Sequence, residues 1–248
     1  MEITPLLKET SHICRKQSLA GWPRLAALAL VTSIAGVVLG LGTQLHKFQV
    51  SSAATPMRVA TGSFTGNGTD DRAITGVGFQ PDVVFVKCDC AQAAVARTST
   101  MAGDASKVLG AATALQADQV QSLDADGFTV GTSSRVNNSG KTIYWTAMKA
   151  GDELKVSSYV GNGVDDRSIT GVGLQPIWVI TMGDGNDSLF RPATVAGDAS
   201  FVIDGSAQVT NRIQALQADG FQIGTNATVN QSGTTYHYIA WAASANVV

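Results

Sequence analysis

The chain has 248 residues, 26 of them glycine, with 15% charged residues and a formal net charge of −2. That length exceeds a single core of about 100–200 residues and allows two small domains. Long 3.6-residue runs of Leu, Glu, Lys and Arg are nearly absent, which speaks against a helical protein, and no basic field is present to attract nucleic acid.

In chain order, residues 1–23 form a basic N-terminal segment with Lys8, Arg15 and Lys16, and Arg24 opens the next segment, 24–45. The uncharged run Leu25–Leu45 is long enough to cross a bilayer as a helix at 1.5 Å per residue. Its basic N-terminal flank predicts a single-pass cell-membrane anchor with the C-terminal part extracytoplasmic. The alternative is a signal peptide and a secreted product, with Ser52-Ala53-Ala54 as the small-residue cleavage site. Residues 46–57 read as a linker.

From there the chain is written twice. The stretch Thr65–Pro81, TGNGTDDRAITGVGFQP, returns as VGNGVDDRSITGVGLQP at Val160–Pro176. MAGDAS at 101–106 returns as VAGDAS at 195–200, and DADGFTVGT at 124–132 as QADGFQIGT at 217–225. VNNSGKTIYWTAMKA at 136–150 returns as VNQSGTTYHYIAWAA at 229–243. Each unit therefore spans a domain of roughly 90 residues, beyond the 20–50 of solenoid repeats. The predicted boundaries are 58–150 and 151–248.

Within a unit, Asn-Gly at 67–68 and 162–163 predicts a two-residue hairpin. DVVFVK (82–87) and IWVITM (177–182) predict core strands, each preceded by a proline. Asp-Gly opens an alternating strand that puts Phe128 with Val130, and Phe221 with Ile223, on one side. In the closing strand Ile143, Trp145 and Ala147 alternate with Tyr144, Thr146 and Met148. SKVLGAATALQADQV and SFVIDGSAQVTNRIQ are ambiguous and leave room for a short helix. The predicted fold class is all-β: two tandem β-sandwich (jelly-roll-like) domains after an N-terminal transmembrane helix.

The block order GNGxDDRxITGVG, then GDAS, DGFxxGT and N-x-S-G-x-x-Y, resembles an uncharacterised β-rich domain of phage tail-associated and bacterial surface or secreted proteins. The resemblance covers nearly all of 58–243, twice. It implies no catalytic mechanism, and the N-terminal apolar segment departs from the phage setting and points to the cell envelope.

The sharpest polar features are Asp70-Asp71-Arg72 and Asp165-Asp166-Arg167. Asp70, Asp71, Asp165 and Asp166 are candidate calcium ligands, with Asp104 or Asp198 and Asp126 or Asp219 as further oxygen donors. The structural reading has each Asp shape a turn while Arg pairs with a carboxylate across strands. GDGNDS at 183–188 reads as a loose acidic turn. Cys88 and Cys90 are expected as free thiols, since one intervening residue closes a strained ring and a metal site needs two more ligands. Gly183 and Gly185 replace them in the second copy.

Three histidines are present, and His12 and His46 lie outside the repeats. His237 is expected as a strand residue in an aromatic cluster, and no nucleophile elbow or phosphate-cradling loop accompanies it. The expectation is therefore a protein that is not an enzyme. Trp145, Tyr236, Tyr238 and Trp241 are candidate ligand-stacking residues. The expected function is a non-catalytic structural or interaction protein displaying two sandwich modules, for adhesion or for surface or filament assembly. A carbohydrate-binding protein, calcium-assisted or not, is the alternative. Expected partners are the membrane through the N-terminal helix, a protein or glycan, and further copies of the chain; nucleic acid is not among them.

Overall fold

The computed structural model describes residues 54–243. The apolar stretch read as an anchor, the linker before residue 54, Cys14, His12 and His46 lie outside the described residues. Among the described residues no helix is long and apolar enough to cross a membrane.

The fold is all-β. The first copy supplies β1 (Arg58–Thr65), β2 (Arg72–Thr75), β3 (Val83–Cys88), β4 (Val95–Thr98), β5 (Lys107–Val108), β6 (Val120–Asp124), β7 (Gly127–Val130), the one-turn helix α1 (Ser134–Asn137) and β8 (Thr142–Lys149). The second copy supplies β9 (Leu154–Val160), β10 (Arg167–Ile169), β11 (Trp178–Gly183), β12 (Ser188–Pro192), β13 (Phe201–Val202), β14 (Ile213–Gln217), β15 (Gly220–Ile223), α2 (Ala227–Asn230) and β16 (Thr235–Trp241). All pairings are antiparallel. Each copy forms a five-stranded sheet, β1-β8-β3-β4-β5 or β9-β16-β11-β12-β13, and a three-stranded sheet, β2-β7-β6 or β10-β15-β14.

Period-two alternation fills each sandwich. Ile143 and Ala147 of β8, Val84, Val86 and Cys88 of β3, and Phe128 and Val130 of β7 bury between the two sheets of the first copy. Tyr236, Tyr238 and Ala240 of β16 meet Phe221 and Ile223 of β15 in the second. The opposite faces of the five-stranded sheets are buried too. Val83, Met148, Leu154, Ile180, Met182 and Ile239, drawn from both copies, form a third core between them. The layers therefore stack three-five-five-three. Each of these six side chains is worth ~1.5–3 kcal/mol on burial, together comparable with the whole stability of a domain, ~5–15 kcal/mol. The two copies form one block.

Three expectations need correction. Asn-Gly at 67–68 makes no hairpin: β1 pairs with β8 and β2 with β7, so the segment carries the chain from one sheet to the other. Asn67 Oδ1 accepts from Thr69 N at 3.0 Å and Gly68 takes φ 70°, a local turn at a sheet corner. The ambiguous segments hold no helix; they carry β5 and β13 and the bridges Ser106–Gln116 and Ser200–Val209. The helices lie later, capped by Ser133 and Asn226, whose side chains accept from Arg135 N and Thr228 N. Cys88 and Cys90 are joined in a disulfide. Cys88 ends β3 facing the core, and the turn through Asp89 brings the two Cα atoms to 5.1 Å, within bridging range.

Candidate functional site

The repeated motifs hold the scaffold. Arg72 Nη1 donates to Thr65 O at 2.6 Å and to Asn137 Oδ1 at 3.2 Å; Arg167 does the same to Val160 O and Asn230 Oδ1. Neither arginine pairs with a carboxylate, contrary to expectation, because the cross-sheet corner presents carbonyls instead. Asn137 and Asn230 are fully buried at these corners. Asn137 accepts from Asn67 N and donates to Thr69 O and Gly131 O. The Ala-Gly-Asp-Ala-Ser blocks recur because their loops wrap a buried guanidinium. Arg97 donates to the carbonyls of Ala105, Val120, Met101 and Gly103, and Arg191 to those of Ala199, Ile213, Val195 and Gly197. Burial pulls both guanidinium pKa values down, opposed by Asp104 and Asp198 respectively.

The candidate calcium ligands sit in the same frame. Asp70 Oδ1 accepts from Asp71 N and Gln121 Nε2, and Asp165 Oδ1 from Asp166 N and Gln214 Nε2. Asp71 and Asp166 take φ 51° and 53° in exposed turns. Their proposed helpers face elsewhere. Asp126 accepts from Gly76 N and Gly78 N, Asp219 from Gly171 N and Gly173 N, and Asp104 from Asp118 N. Among the described residues no three His, Cys, Asp or Glu side chains converge as a metal site.

The aromatic candidates do not form one platform. Tyr236 and Tyr238 are buried in the second sandwich, stacked on or tilted against Tyr159. Their side chains alternate inward with Ala240, so no ring face is left for a ligand. Trp145 packs edge-on to Phe128 at 5.7 Å in the first sandwich. Only Trp241 reaches the other face of its sheet, where it stacks on Trp178 with ring centroids 4.5 Å apart. Phe190 meets Trp178 edge-on at 6.3 Å and stacks on Phe201 at 5.2 Å. Trp178, Trp241 and Phe190 line, with Phe85, Leu109 and Ile203, a groove of about 440 Å³ between the five-stranded sheets, with Thr146 as its sole polar side chain. Trp178, in its lining, is 36% exposed.

Elsewhere the junction between copies is closed by polar contacts. His237 is buried, with Nδ1 2.7 Å from Thr100 Oγ1 of the first copy, and it faces the central core rather than an aromatic cluster. Burial lowers its pKa, opposed by Asp184. Its counterpart Tyr144 is 53% exposed. The acidic turn at 183–188 is tied down: Asp184 Oδ1 accepts from Leu115 N at 2.8 Å. Lys107 is fully buried and donates from Nζ to Gly183 O at 3.0 Å and to Asn186 O and Thr113 O. Burial pulls its pKa down to about 8, opposed by Asp187 and Asp184.

Sequence reasoning missed Trp178, Phe190 and Lys107. The signal was the mismatch between copies: Val83, Ala96, Met148 and Phe201 stand where Trp178, Phe190, Trp241 and Lys107 stand in the other.

Residues 58–155 match a family. Its description is Domain of unknown function (DUF7483), and the match covers the first copy as far as the start of β9. No curated protein and no solved structure matches the chain.

Proposed function

We propose that this chain is a non-catalytic structural protein of the cell surface or exterior, and that its paired jelly-roll-like sandwiches assemble with further copies through the aromatic groove. The nested pairing of β1 with β8 and β2 with β7 supports the jelly-roll-like reading. The observation that carries the function is the stacked, partly exposed Trp178–Trp241 pair that lines the groove. An apolar groove rimmed by partly exposed tryptophans suits a two-fold, self-complementary contact, and Trp residues are enriched among the anchors of such contacts. The groove's apolar lining favours a protein side chain over a sugar. Export is supported by the basic-flanked apolar stretch Leu25–Leu45 and by the Cys88–Cys90 disulfide, a bond that persists in oxidising compartments. His237, the one histidine among the described residues, is buried, which supports a non-catalytic role.

Sedimentation velocity of the full chain over a concentration series tests this. Reversible self-association that Trp178→Ser and Trp241→Ser each abolish is expected. A monomer at every concentration, or association indifferent to both substitutions, overturns it.

A further inference from the structure

Antiparallel pairing fixes which backbone groups of an edge strand are used. Gly66 N donates to Lys141 O, so in β1 the N–H and C=O of Ala60, Gly62 and Phe64 point to β8 in the same register. Those of Val59, Thr61 and Ser63 point away from the sheet and find no partner among the described residues. The next outward carbonyl, Thr65 O, accepts from Arg72. The other sheet edges are short, bulged or guarded. β5 and β13 have two residues each, β10 three and β2 four, and β6 and β14 carry register shifts. β9 is the counterpart of β1, but Leu154 O accepts from Gly151 N, Val160 O accepts from Arg167, and Lys155 charges the strand. Leu154 is wholly buried in the central core, whereas Val59, at the same position of the first copy, is 52% exposed. Among the described edges β1 alone is long and in unbroken register, with no charge or proline after Arg58. Such an edge is a template for pairing with another strand.

The strand suits a second copy of itself. Centred on Thr61, an antiparallel pair sets Thr61 against Thr61 and Val59 against Ser63, each opposed pair exchanging its outward N–H···O bonds. Arg58 then lies opposite Phe64, so no charge faces its like, and the opposed threonines make a favourable cross-strand pair. Ala60 and Phe64 pack against the first sandwich core, so Val59, Thr61 and Ser63 share the other face of the sheet. There Val59 stands beside Met148 and Thr61 beside Thr146, and both of these neighbours line the aromatic groove. Edge and groove are therefore adjoining parts of one surface. A two-fold axis through Thr61 keeps opposed side chains on one face, so it brings both grooves to the same side of the joined sheets.

We infer that two copies of the chain join the five-stranded sheets of their first repeats edge to edge, β1 against β1 in antiparallel register about Thr61. The inference rests on the groove as a self-association surface and supplies the register of that contact.

Sedimentation velocity and thiol cross-linking of the full chain test it. Thr61→Pro removes an outward N–H and leaves the β1–β8 ladder intact, so this variant is expected to be monomeric at concentrations where the wild type associates. In a Cys14→Ser background, Thr61→Cys is expected to form a disulfide-linked dimer under mild oxidation, because the Cα atoms of a hydrogen-bonded pair stand ~5.5 Å apart. Ser63→Cys is expected to stay unlinked. Ser63 of one copy faces Val59 of the other, so its two copies lie ~13 Å apart along the strands, beyond disulfide reach. The cross-link reads the contact should the proline variant fail to fold. Association untouched by Thr61→Pro, or Thr61→Cys linking no faster than Ser63→Cys, overturns the inference; the groove reading then stands if Trp178→Ser still abolishes that association. Association lost in Thr61→Pro but indifferent to Trp178→Ser overturns the groove reading and keeps the strand pairing. A monomer at every concentration overturns both.

Discussion

Replacing Lys107 with Met and raising the pH should change stability in opposite directions, although both remove the same charge. The ammonium is fully enclosed and satisfies three backbone carbonyls, two of them in the other copy. Methionine fills the space and leaves those carbonyls unpaired in a dry junction, at ~1–3 kcal/mol for each group. With partial compensation from the apolar thioether, Lys107→Met is expected to lose ~3 kcal/mol at neutral pH. Deprotonation is different, because a neutral amine keeps two of its donors. The folded pKa lies at about 8 and the unfolded value at 10.5. Between those limits the unfolded chain binds more protons, so the Lys107 contribution to stability rises with pH. The full separation corresponds to ~3 kcal/mol. Below pH 8 both states are protonated and the contribution is flat. Urea denaturation of the wild-type and variant full chains at a series of pH values reads both effects. The difference between them should be positive at pH 7 and should grow from pH 8 towards 10.5. A variant as stable as the wild type at neutral pH, or a difference that stays level across the alkaline range, would refute the reasoning.

Two further outcomes follow from the scaffold. Asn137→Ala should cost ~2–4 kcal/mol by removing a buried side chain that serves Asn67 N, Thr69 O and Gly131 O at once; thermal unfolding measures it, and a loss below ~1 kcal/mol would show that the corner holds without it. Gly183→Cys should destabilise by ~1–3 kcal/mol, because a Cβ there stands 2.5 Å from Tyr236 Cε1. Adding Tyr236→Ile restores the first-copy pair of Cys88 with Ile143, and a double-mutant cycle should then show strong favourable coupling; additive losses would sink this account.

Strands were the legible part of the sequence because their alternation matches burial residue by residue. Phe128 with Val130 and Ile143 with Ala147 point where period two places them. The Asn-Gly corner was misread because the same dipeptide suits any turn needing positive φ, and only the pairing of β1 with β8 reveals which one it serves. The disulfide was missed because the spacing argument ignored how sharply the chain turns at the end of β3. The central core had left a trace. In DVVFVK apolar residues occupy both faces of the strand, the pattern of a strand covered on both sides, and Val83 and Val84 do bury in different cores. What sequence could not supply was the identity of the covering surface, which is the other copy. Trp178 and Lys107 acquire their roles only across that junction.

Duplication also separates scaffold from site within this one chain. Each block written twice answers a need of the fold that both copies share. Arg97 and Arg191 fill carbonyl cages, Asp126 and Asp219 cap glycine amides, and Asn137 and Asn230 pin corners. Identical residues at such positions follow from identical geometry and say nothing about ligands. The positions where the copies part company are different in kind. Val83 against Trp178 and Ala96 against Phe190 build the aromatic groove. Some divergent pairs only trade volume, as Cys88 with Ile143 does against Gly183 with Tyr236, where the glycine makes room for the larger ring. Substitutions that trade volume keep a core filled. Those at the groove instead leave space beside the partly exposed Trp178, and a fold that merely needed filling would have closed it.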